Sequence, residues 1–216
     1  MPTNTDTVLL HCCCAPCTLM PLDSLISDGW QVALYYYNPN IHPFAEYERR
    51  LEVLEELAQT HKVSLIVDTY NPDLWEQRVG ILGGPYPLIA EDSNYASNKA
   101  GKQQRCSACY QLRFEALAAY GKKHSLNNLD TTLTISPYQY TQEVMDSLAY
   151  SAATQGVSAL CTDWRSFYAE ATQKSRELGM YRQNYCGCRY SLEEAQLERQ
   201  ARKDAKKRTR QLKHEI

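Results

Sequence analysis

The chain lacks the segments that would carry a protein into or across a membrane. Its first residues, MPTNTDTVLLHCC, contain no basic region and no long apolar stretch. No window of the sequence approaches the ~18 apolar residues of a membrane span. We therefore expect a cytoplasmic protein without a membrane partner. In that reducing compartment, clustered cysteines are more often metal ligands or redox catalysts than structural disulfides.

The chain is also long enough to fold without disulfide bonds. A chain of 216 residues, 44% of them hydrophobic and 22% charged, can bury a core of its own. It carries nine cysteines, an odd number, and eight of them lie in three tight groups. The groups are Cys12, Cys13, Cys14 and Cys17 in HCCCAPC, Cys106 and Cys109 in CSAC, and Cys186 and Cys188 in CGC. These thiols need a chemical explanation, whereas Cys161, alone in an apolar run, is typical of a small core residue.

Short β-rich runs alternate with helical stretches along most of the chain. The runs predict strands over residues 7–11, 31–37, 63–68, 131–135 and 158–163. The stretches between them predict helices over 18–27, 45–60 and 141–154, and one that opens at the second cysteine pair and runs to about Lys123. This alternation favours a single α/β domain with a mostly parallel sheet flanked by helices, a Rossmann-like three-layer arrangement. We place that domain at residues 1–191, followed by a basic C-terminal helix or tail at 192–216.

Parallel sheets of this kind bind ligands beyond the carboxyl ends of their strands. The first cysteine group, the segment NPNIHP, Asp68, the segment SPYQ and Asp163 all follow predicted strands. We expect them to gather at one edge, which is the candidate active site. The other two cysteine groups reach this edge only if the fold brings them there.

Two of the cysteine groups contain a CxxC pair, Cys14 with Cys17 and Cys106 with Cys109. Two such pairs provide the ligand set for zinc or for a [4Fe-4S] cluster. Structural zinc ribbons usually close within about 15–20 residues, whereas these pairs lie far apart, so the whole fold would have to assemble a shared site. In an extended chain Cys13 and Cys14 would face opposite ways, one toward a cluster and the other toward a second metal or the substrate.

The third group, Cys186 and Cys188, has two possible roles. Its i, i+2 spacing is near the limit for a disulfide, and Gly187 permits the turn that would close one. The same pair could instead chelate one metal.

Charge and aromatic content point weakly toward a nucleic acid. The net charge is only −2, yet between Arg199 and Lys213 the chain carries eight basic residues against one acid, Asp204. Such a segment suits a polyanion, although a solvated terminal helix is the more common meaning. Sixteen tyrosines against three phenylalanines favour stacking on nucleobases, although tyrosines also pack in half-polar cores.

Five motifs carry a resemblance to a known family. They are LLHCCCAPC, YYYNPNIHPFAEYERR, RCSACYQLRF, TTLTISPYQ and YRQNYCGCRYS. In this order they resemble the cobalamin-independent epoxyqueuosine reductases, the QueH type, up to about Ser191. The resemblance implies the last step of queuosine synthesis at the wobble position of the tRNAs for Asp, Asn, His and Tyr, in which an epoxide is reduced to an alkene. It also implies a [4Fe-4S] cluster and leaves open a second mononuclear iron or zinc. Its partners would be a tRNA anticodon loop carrying epoxyqueuosine and an unidentified electron donor.

The family's motifs assign roles to most of the clustered residues. The first motif falls on His11, Cys13, Cys14 and Cys17 and gives Cys12 no role, and the CxxCY motif falls on Cys106, Cys109 and Tyr110. We expect Cys14, Cys106 and Cys109 to hold the cluster, with Cys13 or Cys17 as the fourth ligand. Cys186 and Cys188 would then be a redox-active dithiol, or they would bind a second metal together with Cys13.

The reaction itself requires more than one centre. Converting an epoxide to an alkene takes two electrons and two protons, whereas one [4Fe-4S] cluster ordinarily passes one electron at a time. A second redox or Lewis-acid centre is therefore expected, together with a proton donor. Position at strand ends makes Asp163, Asp68, His42 and Tyr138 candidate donors, and we take Asp163 as the catalytic one. Candidate RNA contacts are Tyr35, Tyr36, Tyr37, Arg49, Arg50 and Arg105.

Two other function classes remain open. A cytosolic thiol-disulfide oxidoreductase would use CAPC at a helix N-terminus and would carry no iron. A zinc-stapled RNA-binding protein would bind zinc and tRNA without redox activity. Neither class explains all three cysteine groups. A sulphur-transfer tRNA enzyme is disfavoured, because no glycine-rich nucleotide loop follows the first predicted strand.

Overall fold

The computed structural model describes residues 6–83 and 98–214. Within these ranges strands and helices alternate as β1 (Thr7–His11), α1 (Ala15–Ser27), β2 (Gln31–Tyr36), α2 (Phe44–His61), β3 (Ser64–Val67), α3 (Pro72–Arg78), α4 (Asn98–Lys123), β4 (Asn128–Thr131), α5 (Thr141–Gln155), β5 (Ser158–Ala159), α6 (Tyr168–Glu177) and α7 (Arg189–His214). The five strands form one parallel sheet in the order β3-β2-β1-β4-β5. The predicted α/β class is confirmed. The Gly/Pro-rich sequence ILGGPYP, and the polar stretch that follows it, lie mostly outside the described residues.

The central strand β1 is buried on both faces of the sheet. Val8 and Leu10 pack in a core with α1, α2 and part of α6, whereas Leu9 packs in a second core with α4 and α5. Alternate side chains of a strand point to opposite faces, so a nearly continuous apolar run such as TVLLH serves both cores. The sheet is therefore the middle layer of a three-layer arrangement, as predicted.

Two predicted strands are placed differently from expectation. The fourth strand is Asn128–Thr131 rather than 131–135, and Thr132–Ile135 is a 3₁₀ turn. Thr131 causes the change, because its hydroxyl oxygen accepts a hydrogen bond from the Leu133 amide and curls the chain out of the sheet. The fifth strand is only Ser158–Ala159, since Cys161 has a left-handed φ of 51°, which extended backbone cannot include.

Two helices also begin earlier than predicted. Helix α4 begins at Asn98, so the second CxxC pair lies inside the helix and does not open it. Helix α7 begins at Arg189, so the boundary placed at residues 191 and 192 falls within one continuous helix. Of the helices in the described ranges, none combines the length and the apolarity needed to cross a membrane.

Candidate functional site

The first cysteine group occupies the turn from β1 into α1. The sulphur atoms of Cys13, Cys14 and Cys17 lie within 4.8 Å of one another, close enough to share a metal ion. Hydrogen bonds from Cys13 and Cys17 hold the pKa of Cys14 well below its usual range, and nearby Arg50 adds to this effect. The hydrogen bond to Cys14 raises the pKa of Cys13 to about 11. Negative charge in this group therefore settles on Cys14, which is the N-cap of α1.

The other two cysteine groups meet each other. Cys106 and Cys109 are three residues apart on α4, which places both on one face of the helix. Cys109 packs in a small core with Cys188, Trp75 and Tyr190. Burial raises the pKa of Cys106, and the charges of Cys186, Cys109 and Cys188 raise it further. The fold has thus assembled a second group of four thiols from α4 and the loop before α7.

One cavity of about 610 Å³ joins the two assemblies. Its walls include Cys13 and Cys17 from the first assembly and Cys106, Cys186 and Cys188 from the second. Cys14 contacts Cys13, and Cys109 lies one turn along α4 from Cys106. All seven cysteines to which the motifs assign a role therefore lie at or directly beside this cavity. The cavity walls also include Thr132, Leu133 and Ser136 from the turn after β4. The cavity therefore lies at the carboxyl edge of the sheet, as expected.

Hydrogen bonding distinguishes part of this group of seven from the remaining two cysteines. Four of them accept a hydrogen bond from a nitrogen: Gln183 Nε2 to Cys14 at 2.8 Å, Trp75 Nε1 to Cys109 at 3.3 Å, Ser191 N to Cys188 at 3.4 Å and Gln139 Nε2 to Cys186 at 3.6 Å. Cys12 and Cys161 instead donate to the carbonyl oxygens of Leu10 and Met145. Acceptor sulphurs suit thiolates and metal ligands, whereas donors are ordinary protonated thiols.

A buried guanidinium lies between the two assemblies. Arg113 is 1% exposed and lines the cavity. Its Nε donates to the carbonyl of Cys109 and its Nη1 to Asn38 Oδ1, while Nη2 is buried without a hydrogen-bond partner. Within the described ranges no carboxylate lies within 4 Å of it. A buried cation requires a counter-charge, and the thiols that face Arg113, which are those of Cys109, Cys186 and Cys13, would supply it on deprotonation.

A second buried guanidinium fixes the loop of Cys186 and Cys188. Arg50 is 1% exposed and pairs with Glu46 at 2.8 Å. It also donates to the carbonyl of Cys186 at 2.9 Å and to that of Tyr185 at 3.3 Å. Gly187, at φ 136°, lies so close that a Cβ there would be 3.0 Å from Ile41 and 3.2 Å from Arg50 Nη1. Only glycine fits this turn.

Two histidines of the motifs, His11 and His42, have different surroundings. Both ring nitrogens of His11 have hydrogen-bond partners. Nδ1 lies 3.1 Å from Thr131 Oγ1, and Nε2 lies 3.4 Å from the carbonyl oxygen of Tyr37. Burial lowers the pKa of His11 to about 3, so it stays neutral and joins β1 to β4. His42 has a buried Nε2 without a hydrogen-bond partner, and burial lowers its pKa. Its backbone carbonyl accepts a hydrogen bond from the Tyr185 hydroxyl.

Most of the proton donors expected from the sequence do not line the cavity. Asp163 is exposed, its carboxylate is paired with Arg165, and this hydrogen bonding lowers its pKa. It does not line the cavity, so its position does not support the expectation that it is the catalytic acid, which stays a prediction. Asp68 accepts the hydroxyl of Tyr35 and also lies outside the cavity walls. Tyr138 alone of the four candidates lines the cavity.

Most of the residues expected to contact RNA are buried or paired with other side chains. Tyr35, Tyr36 and Tyr37 are at most 7% exposed and pack in the cores on either side of β2. Arg50 is buried as described above. Arg105 is 2% exposed, pairs with Glu194 and lines the cavity, and Arg49 stacks over the ring of Tyr181. The tyrosine run is therefore packing, and the solvent-facing aromatic residues of the cavity lie elsewhere.

Four site residues were not singled out from the sequence. They are Trp75, Arg113, Gln139 and Gln183, which contact the cysteines directly. Arg113, Gln139 and Gln183 lie inside the motifs RCSACYQLRF, TTLTISPYQ and YRQNYCGCRYS. Trp75 lies outside all five motifs, and only the packing of α3 against α4 reveals it.

Comparisons with known proteins agree with this site. The family model described as "Epoxyqueuosine reductase QueH" matches residues 8–194. A protein of that name from Dehalococcoides mccartyi is 33% identical over 184 residues, which cover 85% of this chain and 91% of the relative. Proteins of the same name from Acinetobacter baylyi and Thermotoga maritima are each 30% identical, over 89% and 86% of this chain and 83% and 90% of their own lengths. The chain belongs to the epoxyqueuosine reductase QueH family.

Proposed function

We propose that this protein is a tRNA-modifying oxidoreductase that reduces epoxyqueuosine to queuosine at the wobble position of the tRNAs for Asp, Asn, His and Tyr. The observation that carries the proposal is the convergence of three cysteine groups on one cavity in a chain of this family. With a volume of about 610 Å³, the cavity can admit the modified substituent of a nucleobase. The thiols that line the cavity would be the reducing groups nearest to that substituent.

The donor set fits a metal-sulphur centre. Four sulphurs receive N–H hydrogen bonds, and a buried guanidinium without a carboxylate partner in the described ranges supplies positive charge beside them. Such an environment stabilises the anionic thiolates that iron and zinc require. We propose that Cys14, Cys106 and Cys109 bind a [4Fe-4S] cluster, with Cys13 or Cys17 as the fourth ligand. The cluster, when bound, would supply electrons one at a time.

Seven sulphurs exceed the four that one cluster needs. We propose that Cys186 and Cys188 are either a redox-active dithiol or ligands, with Cys13, of a second iron or zinc. Cys186 is exposed and Cys188 is buried, so an electron donor has access to one member of the pair while the other faces the thiols of α4. Arg50 and Gly187 hold this turn in place, which matters for either role.

The tRNA would approach over α7. Arg199 and Arg202, from the basic run, line the same cavity as the cysteines, together with Lys102 and Arg182. Cations at the rim position phosphates without reading sequence. The anticodon loop presents unpaired bases, so its modified nucleoside can enter the cavity while the backbone remains at the rim.

The test is turnover by protein purified and, if necessary, reconstituted with iron and sulphide without oxygen. The protein is incubated with tRNA that carries epoxyqueuosine and with a chemical reductant, and the nucleosides are analysed by mass spectrometry. We expect a nucleoside lighter by one oxygen atom, and we expect Cys188→Ala to abolish it while Cys12→Ala does not. Unchanged epoxyqueuosine after incubation with metal-loaded protein that binds the tRNA would contradict the proposal.

A further inference from the structure

The most exposed large hydrophobic side chain in the described ranges is a tyrosine at the cavity. Tyr138 is 83% exposed, although it lines the same cavity as Cys106 and Cys186. Its backbone is fixed, because Ser136 Oγ accepts a hydrogen bond from the Tyr138 amide and the Ser136 carbonyl accepts one from Gln139. A rigid turn holds this aromatic ring mostly in water, where it gains little from packing, and this points to a ligand.

A second aromatic ring stands beside it. Tyr168, the first residue of α6, also lines the cavity and is partly buried against the adjoining core. The ring centroids of Tyr138 and Tyr168 are 6.3 Å apart and the ring planes meet at 81°. In this edge-to-face arrangement Tyr168 braces the ring of Tyr138, and the exposed surface of Tyr138 remains available to a flat partner.

The surrounding charges favour a polyanion. Lys102, Arg182, Arg199 and Arg202 line this cavity, and two of them are paired there with acids, Lys102 with Glu194 and Arg202 with Glu198. Arg182 and Arg199 donate to backbone carbonyls and, among the described residues, have no acidic partner within 4 Å. They are therefore available to phosphate. Cations that line the same cavity as an exposed aromatic ring match single-stranded nucleic acid, whose backbone is charged and whose bases stack.

We infer that Tyr138, braced by Tyr168, is a stacking platform for an unpaired nucleobase of RNA. The platform holds the wobble base at the mouth of the cavity and directs the base's substituent toward the cysteines. This inference rests on the proposed function for the identity of the base. The platform itself needs only single-stranded RNA.

The test measures binding, with no requirement for turnover. The probe is a synthetic RNA anticodon stem-loop with the fluorescent base 2-aminopurine at the wobble position, titrated with full-length protein. Stacking on tyrosine quenches this fluorophore. We expect Tyr138→Ala to weaken binding about tenfold and to abolish the quenching, as loss of one stacked base does. Tyr138→Phe keeps the ring and should retain both.

A matched control separates stacking from general damage. Tyr150 is 65% exposed on α5 and does not line the cavity, so Tyr150→Ala should bind and quench like the parent protein. Equal affinity and quenching for the parent and Tyr138→Ala would overturn the platform. The proposed reaction is judged separately: turnover by Tyr138→Ala with an unchanged KM would refute the platform alone. Tyr138-dependent quenching without any turnover by the metal-loaded parent would refute the reaction alone.

Discussion

Replacement of Arg50 by lysine tests how the loop of Cys186 and Cys188 is held. Lysine keeps the positive charge, but one ammonium group cannot contact Glu46 and the carbonyls of both Tyr185 and Cys186. Two hydrogen bonds from a charged donor are lost, each worth about 1.5–3 kcal/mol. We therefore expect the free energy of unfolding of Arg50→Lys to fall by about 3–6 kcal/mol.

The assay for Arg50→Lys combines urea unfolding with amide hydrogen exchange. Besides the fall in stability, exchange should accelerate in residues 185–188, because the loop loses its anchor to α2. The control is Arg78→Lys, since Arg78 pairs with Glu115 at the surface with 46% of its side chain exposed. That change should cost less than about 1 kcal/mol. If Arg50→Lys also loses less than about 1 kcal/mol and leaves the exchange of the loop unchanged, the anchoring role is wrong.

Three further changes have definite expected results. Trp75→Phe removes the N–H that hydrogen-bonds to Cys109, so the midpoint potential of a bound cluster should become more negative in a redox titration; an unchanged potential would show that this bond does not act on the centre. Cys12→Ala should retain full metal content in elemental analysis, because Cys12 donates to Leu10 and lies outside the cavity; loss of metal would make Cys12 a ligand. Burial raises the pKa of Asp130 from 3.8 to about 6, so its contribution to stability is full below about pH 3.8 and is lost as the pH rises through about 6. Relative to Asp130→Asn, the parent should lose up to about 3 kcal/mol of unfolding free energy between pH 4 and pH 7; parallel pH profiles in urea unfolding would refute this.

The sheet could be predicted because its signals are local. An apolar run such as TVLLH, bounded by polar loops, identifies a buried parallel strand, and the alternation with helices fixes the class. The errors occurred where a single contact decides the backbone. Thr131 ends β4 through its hydroxyl, and Cys161 ends β5 through a left-handed φ, and neither feature has a sequence signature.

The sequence predicted which thiols converge at the candidate site but not what surrounds them. The cysteine spacings and motifs identified seven thiols, all of which lie at or beside one cavity. The pairing of Asp163 with Arg165 could not be predicted, because position after a strand does not say whether a surface arginine will pair with the side chain. Trp75 was missed because its contact with Cys109 depends on how α3 packs against α4. Such contacts exist only in three dimensions.

The most direct test of the central claim is the iron, zinc and acid-labile sulphide content of protein purified without oxygen. The claim is that the two cysteine assemblies serve one metal-sulphur site. We expect about four irons and four sulphides per chain with a broad brown absorption, and iron or zinc beyond that number would identify a second centre. Cys106→Ala should lose the cluster, although the three thiols of the first assembly remain. Zinc without sulphide in the parent protein, or a complete cluster in Cys106→Ala, would contradict the account.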